Sequence, residues 1–583
     1  MKTDQEMFSD DELSQAARKF AFLNALEHSG KANPNAVIGR ILSEHTELRK
    51  ESSRLKSIVQ SVTTSVNQLS PSEQKSRLQK EFPGELETSV SRKKEISNAD
   101  ATKKPELPDL PDVLPGGVVT RFPPEPNGYM HIGHAKAALL GFEYARKYRG
   151  RFMVRFDDTN PAAEKKEFYG AFIESLDWLG IKPDQVKNAS DDMEKFYHVA
   201  RQLIEKFSAY VCSCTQEKMR ELRGTGLPCE HRSQSAQENF DLWDSMLSGS
   251  TAAKQSVLRF VGNMESLNTA MRDPVLFRVV EQPHPLRGMT FRVWPTYDFD
   301  GPIEDSLDGI THAMRSKEYE LRDELYYAIL DSAGLRKPRI IEFSRLALKN
   351  TTVSKRNLRK LIEEGHVQGW DDPRLPTIAG LKRRGILPEA IREFILSMGI
   401  SKVESLPTWD LLESINRKLL DPVAKRFFFA GDPVSVEVDE HPRMEVNLRF
   451  HPEADFGSRQ IETEGSFLIS GSDASQLKIG SRFRLIETYN CEVHSREREL
   501  IRVRQVPEEP GEKISKVQWV TPKDSVPFTV MMTGPLLLDE SYNPESLKLL
   551  KGRIEISAER MKIGEIFQLV RIGFCRLDSP VTA

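Results

Sequence analysis

Cysteine is scarce in this chain: five residues in 583 cannot build a disulfide framework, and a reducing cytoplasm is the expected setting. Long apolar runs are missing too, so no membrane partner is expected. The segment Met1-Lys2-Thr3-Asp4-Gln5-Glu6 is polar and partly acidic, without the basic-then-apolar layout of a secretory signal. There is no excess of basic charge: 83 Lys and Arg against 86 Asp and Glu leave a net charge of -3. A contact with nucleic acid would therefore need cations gathered locally. No repeat of fixed period is present. What remains is an ordinary soluble composition, 38% hydrophobic and 29% charged, too long for one core and suggesting roughly three to five compact units.

Residues 1–70 read as a helical appendage. Ser9 with Glu12 forms a capping box, and Leu13, Ala16, Ala17, Phe20, Leu23 and Leu26 recur at helical spacing. Leu55, Ile58, Val59, Val62, Val66 and Leu69 line another helix. The segment 71–114 is polar, charged and proline-containing, and reads as a linker. Residues 115–400 alternate between strand and helix, which predicts an α/β Rossmann-type domain with a parallel sheet, interrupted by an insertion at about 205–290. A helical connector over 401–430 leads to 431–583, where short alternating segments predict antiparallel β-barrels.

The sharpest local signal is His131-Ile132-Gly133-His134, at the start of a helix that follows a strand. Two imidazoles three residues apart share one face of the first turn, where free N–H groups and a partial positive charge favour phosphate. Gly133 leaves room for a flat ring, and the imidazoles can donate hydrogen bonds to a phosphorus centre gathering charge. Far downstream, Ser354-Lys355 lies on a predicted loop, and Lys355 is a flexible cation able to follow departing pyrophosphate. Cys212, Cys214, Cys229 and His231 are four soft or imidazole ligands in two close pairs. They read either as a tetrahedral zinc site or as reduced thiols beside a histidine. Cys491 and Cys575 read as core.

Together these segments resemble the class I aminoacyl-tRNA synthetases, in the glutamyl/glutaminyl subgroup of archaeal and eukaryotic type. RFPPEPNGYMHIGHAKAA (121–138) resembles that subgroup's first signature and TVSKR (352–356) its second. In the second, Thr352 and Val353 stand where Lys and Met are usual. RFDDTNP (155–161), MRDPVLFR (271–278), PTYDF (295–299), GWDDPRLPT (369–377) and RIGFCRLD (571–578) carry the likeness through all but the first hundred or so residues. The resemblance implies ATP as substrate with Mg2+, contacted by His131, Gly133, His134, Ser354 and Lys355. It implies an amino-acid site of Arg121, Asp157 and Tyr297, with Asp157 taking the α-ammonium group. It also implies that the insertion receives the tRNA acceptor end, that any zinc there is structural, and that the barrels grip the anticodon arm.

Glutamate and glutamine differ by a carboxylate against an amide, so a glutamate site needs a buried cation. Arg315 stands where glutamyl enzymes of the subgroup carry one, which points to glutamate and tRNA(Glu) and leaves tRNA(Gln) open as a second acceptor. Arg322-Asp323-Glu324 and Pro283-His284-Pro285 look glutamyl as well. The alternatives are a glutamine-specific enzyme, a silent tRNA-binding paralogue that has lost activation, and a smaller nucleotidyltransferase, which would not need the C-terminal barrels.

Overall fold

The computed structural model describes residues 9–27, 30–44, 52–83, 107–113, 117–250, 254–404, 406–441, 443–507 and 514–582. The chain divides into two compact units, up to Glu106 and from Leu107 onward.

Among the described residues the first unit holds the helices Asp10–Glu27, Pro34–Glu44, Ser52–Asn67 and Pro71–Glu81. The expected capping box forms, with Ser9 N donating to Glu12 Oε2 at 2.8 Å and Glu12 N to Ser9 Oγ at 3.3 Å. Leu13, Ala17, Phe20, Leu55, Val59 and Val66 make its core. The fourth helix falls inside the segment expected to be linker. Ser70 and Glu73 cap it reciprocally, Leu78 is fully buried, and the Gln74 amide nitrogen lies 2.9–3.1 Å from the carbonyls of Gly30, Val66 and Leu69. Its charged surface hid one buried stripe. The far end of the expected linker is also packed: Leu107 and Leu110 join the core around Val118, Leu140 and Tyr144 of the second unit.

In the second unit, Val119–Phe122, Arg151–Phe156 and Gln185–Asn188 form a parallel sheet. Val119–Phe122 and Arg151–Phe156 flank the helix Ile132–Lys147 in a βαβ unit. A second parallel pair, His312–Ser316 with Arg339–Phe343, meets the first sheet through Thr311 N donating to Val119 O at 2.9 Å. This is the parallel layer that was expected, and its strand ends define the crevice. Between Gln185–Asn188 and His312–Ser316 the chain forms an antiparallel sheet of Ala209–Cys212, Val257–Phe260, Val275–Val279 and Val293–Pro295, with the helices Gln216–Thr225 and Ala236–Ser248.

The connector contains the helix Trp409–Leu420, but strand begins before residue 431, at Arg426–Phe427 and Phe429–Gly431. Beyond it, six strands run in one sheet around Val436, Phe467, Phe483, Ile501 and Trp519. A bridge between Leu468 and Val520 brings its edges together. The pairing is mixed rather than purely antiparallel, because Val434–Val438 runs parallel to Leu500–Gln505, and Arg482–Leu485 to Ser515–Val517. The last region holds, among the described residues, two three-stranded sheets sharing the core of Phe427, Phe429, Val526, Ile554 and Phe567, and a short pair of Leu537–Leu538 with Ser541–Tyr542. No helix among the described residues is long and apolar enough to cross a membrane.

Candidate active site

His131 is the N-cap of Ile132–Lys147, and the two histidines cap the helix reciprocally. His131 Nδ1 accepts from Gly133 N at 3.1 Å and His134 N at 3.3 Å, and His134 Nδ1 accepts from His131 N at 3.3 Å. The rings stack at 3.7 Å. A ring nitrogen that accepts carries no proton, so each neutral ring holds its hydrogen on Nε2. Burial, with the charge of Arg345 nearby, pushes His134 down to about 4 and His131 well below the usual histidine range, so both are neutral near pH 7. The arrangement is two aligned Nε2–H donors at a helix N-terminus. A Cβ on Gly133 would lie 2.9 Å from His131 Cε1, which is why this position is glycine.

The second signature reaches the same place. Lys355 opens the helix Lys355–Glu363, and its side chain lies across the first-signature loop: a Cβ on Gly128 would meet Lys355 Cδ and Cε at 3.3 Å. Burial lowers the Lys355 ammonium to about 8, with Glu125 working the other way. Ser354 is the N-cap residue of that helix. Lys136 binds the loop after Arg339–Phe343 to the signature helix, donating to Ser344 O at 2.7 Å and to Ser344 Oγ at 3.1 Å. On the other side, the 369–377 segment lies against the signature, with Ile132 N on Pro376 O at 2.9 Å and Ile378 N on Met130 O at 2.8 Å. His284 lies behind this region, stacked on Trp294, with Nε2 3.1 Å from Asp158 O and 3.2 Å from Glu164 Oε2.

Arg121, Asp157, Tyr297 and Arg315 line one cavity, together with Arg155, Asp298, Asp305, Arg322 and Tyr326. The strands supply Arg121, Arg155 and Arg315 near their ends, and the helix Tyr297–Leu307 supplies Tyr297, Asp298 and Asp305. Arg121 is more committed than expected. Its fork grips Asp305 with two bonds of 2.9 Å, and Nη1 donates to Met314 O at 2.6 Å. Arg155, which was not singled out from the sequence, is fully buried and donates to Asp157 Oδ1 at 2.7 Å and to Asp305 Oδ1 at 2.9 Å. Burial opposes the charge of Asp305, yet Arg121 and Arg155 hold it down at about 2. Asp157 Oδ2 remains buried with no protein partner, an acceptor suited to an ammonium group.

Arg315, with a side chain 4% exposed, sits among the rings of Tyr297, Tyr319 and Tyr326 at 5.8, 5.5 and 5.1 Å. Arg315 is not an unpaired cation: Nη1 donates to Asp323 Oδ1 at 2.9 Å, while Nε is buried without a partner. Arg322 pairs with Asp298 at the cavity's edge.

Cys212, Cys214, Cys229 and His231 converge at the end of Ala209–Cys212, each offering a ligand atom within 4.8 Å of the others. Cys212 Sγ lies 3.8 Å from Cys229 Sγ, and Cys214 Sγ lies 3.4 Å from His231 Nδ1. Tetrahedral zinc with Zn–S of about 2.3 Å needs sulfurs ~3.8 Å apart, so the donors fit that ion. His231 Nε2 lies 3.0 Å from Ser213 Oγ, the kind of outer contact that orients a metal-binding imidazole. In the C-terminal region, Arg482 and Arg484 flank the buried Phe483, and His494 reaches Asp439 at 2.6 Å.

The family model for tRNA synthetases class I (E and Q), catalytic domain, matches residues 117–422. Two models for the anti-codon binding domain of the same class match 424–506 and 516–578. The glutamate–tRNA ligase of Cenarchaeum symbiosum is 42% identical over 572 residues, covering 97% of this chain and 98% of that protein. The glutamate–tRNA ligase of Pyrococcus furiosus is 39% identical over 584 residues, covering 97% of each. A crystal structure of glutamate–tRNA synthetase from Elizabethkingia anophelis aligns with 53% of this chain and 71% of that one, at 20% identity and a TM-score of 0.37.

Proposed function

Since the chain belongs to the class I tRNA synthetases for glutamate and glutamine, we infer from its pocket and its nearly full-length relatives that it is a glutamate–tRNA ligase. Its substrates are L-glutamate, ATP and tRNA. The observation that carries the choice of amino acid is Arg315, a buried guanidinium in the same cavity as Asp157 and Tyr297.

In this reading Asp157 Oδ2 takes the α-ammonium group, Tyr297 closes the pocket wall, and Arg315 receives the side-chain carboxylate. Arg121 acts by holding Asp305, which in turn fixes Arg155 against Asp157. The α-carboxylate oxygen attacks the α-phosphorus of ATP, forming glutamyl-adenylate as the bond to the pyrophosphate oxygen breaks. The Nε2–H groups of His131 and His134 donate to phosphate oxygens as charge develops, and Lys355, with Ser354 beside it, follows the β- and γ-phosphates. Gly133 lets the nucleotide approach the helix. Mg2+, when bound with ATP, neutralises part of the triphosphate charge. The terminal adenosine of tRNA then attacks the activated carbonyl through its 2′-hydroxyl, and AMP leaves.

The insertion takes the acceptor end in this reading, and Cys212, Cys214, Cys229 and His231 would hold a structural Zn2+ that fixes its tip. The domains follow the same scheme: a helical appendage, a catalytic domain with its insertion, and a C-terminal anticodon-binding region. tRNA(Glu) is the principal acceptor, tRNA(Gln) a second one to be tested, and the setting is cytoplasmic.

ATP–pyrophosphate exchange with tRNA present tests this directly. Exchange with glutamate and little with glutamine is expected. The reverse preference would make the chain a glutamine enzyme, and no exchange with either would make it a silent paralogue.

A further inference from the structure

The cation read here as the glutamate receptor already has a carboxylate. Asp323 opens the helix Asp323–Ala333 and accepts from Arg315 Nη1 at 2.9 Å. The cavity is lined by four arginines, at 121, 155, 315 and 322, and by the carboxylates of Asp157, Asp298 and Asp305. With Asp323, four acids face four bases, and the empty pocket offers no surplus positive charge to an acidic side chain. An incoming γ-carboxylate would therefore share one guanidinium with Asp323. Like charges on one partner do not both stay ionised at low cost.

Resting on the reading that Arg315 receives the side-chain carboxylate, we propose that Asp323 sets the pH dependence of glutamate binding: it neutralises Arg315 in the free pocket and yields it to glutamate by taking up a proton. The Asp323 side chain is 23% exposed, so water can deliver that proton, and the unpartnered Nε of Arg315 leaves a donor for the newcomer. Four charged neighbours bear most on the exchange: Arg315 from its strand, Glu342 from the adjoining strand, Lys402 from the loop beyond, and Glu320 from the preceding turn. Burial raises the Asp323 carboxyl to about 6 against the pull of Arg315, and a second carboxylate raises it further. Glutamine brings no charge and leaves the Arg315–Asp323 pair as it is. Asp323 therefore makes discrimination depend on pH.

The sign follows from proton linkage. Above about pH 6 the empty pocket has lost the proton that the glutamate complex keeps, so glutamate binding weakens as pH rises, approaching about tenfold per unit for one proton.

The test uses the full chain with tRNA, comparing the KM for glutamate in pyrophosphate exchange between pH 6 and 8.5 in wild type, Asp323→Asn and Arg315→Gln. Wild-type KM should climb with pH. In Asp323→Asn the curve should flatten and lie below wild type at pH 8, with the change falling on the KM for glutamate rather than on kcat or the KM for ATP. An Asp323→Asn curve parallel to wild type, or one raised for glutamate and ATP alike, would overturn the proposal. If Arg315→Gln abolishes glutamate use while Asp323→Asn tracks wild type, only the role of Asp323 fails. If Arg315→Gln keeps glutamate use, the underlying reading fails. Should Asp323→Asn not fold, calorimetry of glutamate binding to wild type at pH 7.5 in two buffers of different ionisation enthalpy decides. Net proton uptake supports the exchange, and none refutes it.

Discussion

The histidine pair makes a prediction that separates its two jobs. Each Nδ1 accepts a backbone N–H, which leaves the ring hydrogen on Nε2, so a residue that imitates only one nitrogen should keep only one function. At position 134, Asn places an oxygen near the site of Nδ1 and has nothing at Nε2. Gln carries an amide N–H out towards Nε2 and loses the cap. Losing a capping acceptor costs about 1 kcal/mol, which in a chain this large moves Tm by roughly 2 °C or less. Losing a donor that acts on developing charge costs about 3–4 kcal/mol, on the order of 100- to 1000-fold in kcat. His134→Asn should thus melt close to wild type and lose most exchange activity. His134→Gln should melt slightly lower and stay within about tenfold of wild type. Thermal melts and pyrophosphate exchange on the same preparations measure both. If Asn exchanged faster than Gln, the tautomer assignment and the role built on it would be wrong.

Because His134 lies at about 4 and His131 lower still, neither should give the exchange rate an acidic limb between pH 5.5 and 7.5. Their contribution to stability should be fully present above the unfolded histidine value of 6.5 and lost as pH falls towards about 4, seen as a falling Tm. Lys355→Ala should collapse adenylate formation by a similar factor of roughly 100 to 1000 while tRNA binding persists in a filter assay. In wild type, kcat/KM for ATP should decline above pH 8 as the Lys355 ammonium loses its proton, a limb that Lys355→Arg moves upward. Gly133→Ala should disable exchange, because its methyl group would press on the His131 ring. Metal analysis of the purified chain should find about one zinc, with Cys229→Ser lowering the content. A metal-free wild type with an intact melt would refute the zinc site.

Much of this architecture was legible in the sequence because local signals agreed with tertiary ones. The strand before His131, the three-residue spacing of the histidines and the glycine between them all pointed to one helix start, and Lys355 meets it across Gly128. The four residues taken from the family likeness line one cavity for a similar reason: each lies at a strand end or a helix start. What could not be read was who holds whom. Arg121 looked like a substrate contact and is clamped by Asp305, while Arg155, an alternating residue in a buried strand, supports Asp157. Long-range ion pairing leaves no mark in spacing. Asp323 stood out only as part of Arg322-Asp323-Glu324, a segment that looks glutamyl, and its pairing with Arg315 depends on a turn of helix that composition does not specify. The helix Pro71–Glu81 was hidden differently. Its capping box was present in Ser70 and Glu73, but the charged composition around it argued for a linker. Parallel pairing within the C-terminal sheet was missed because alternation reveals strands and not their direction.

The proposed reaction places glutamate on tRNA through a pocket built around a buried guanidinium. Charging purified tRNA(Glu) and tRNA(Gln), separately, with labelled glutamate and labelled glutamine tests it most directly. Glutamate should become acid-precipitable on tRNA(Glu) and glutamine on neither. Glutamine appearing on tRNA(Gln), with no glutamate on either tRNA, would make the chain a glutamine enzyme.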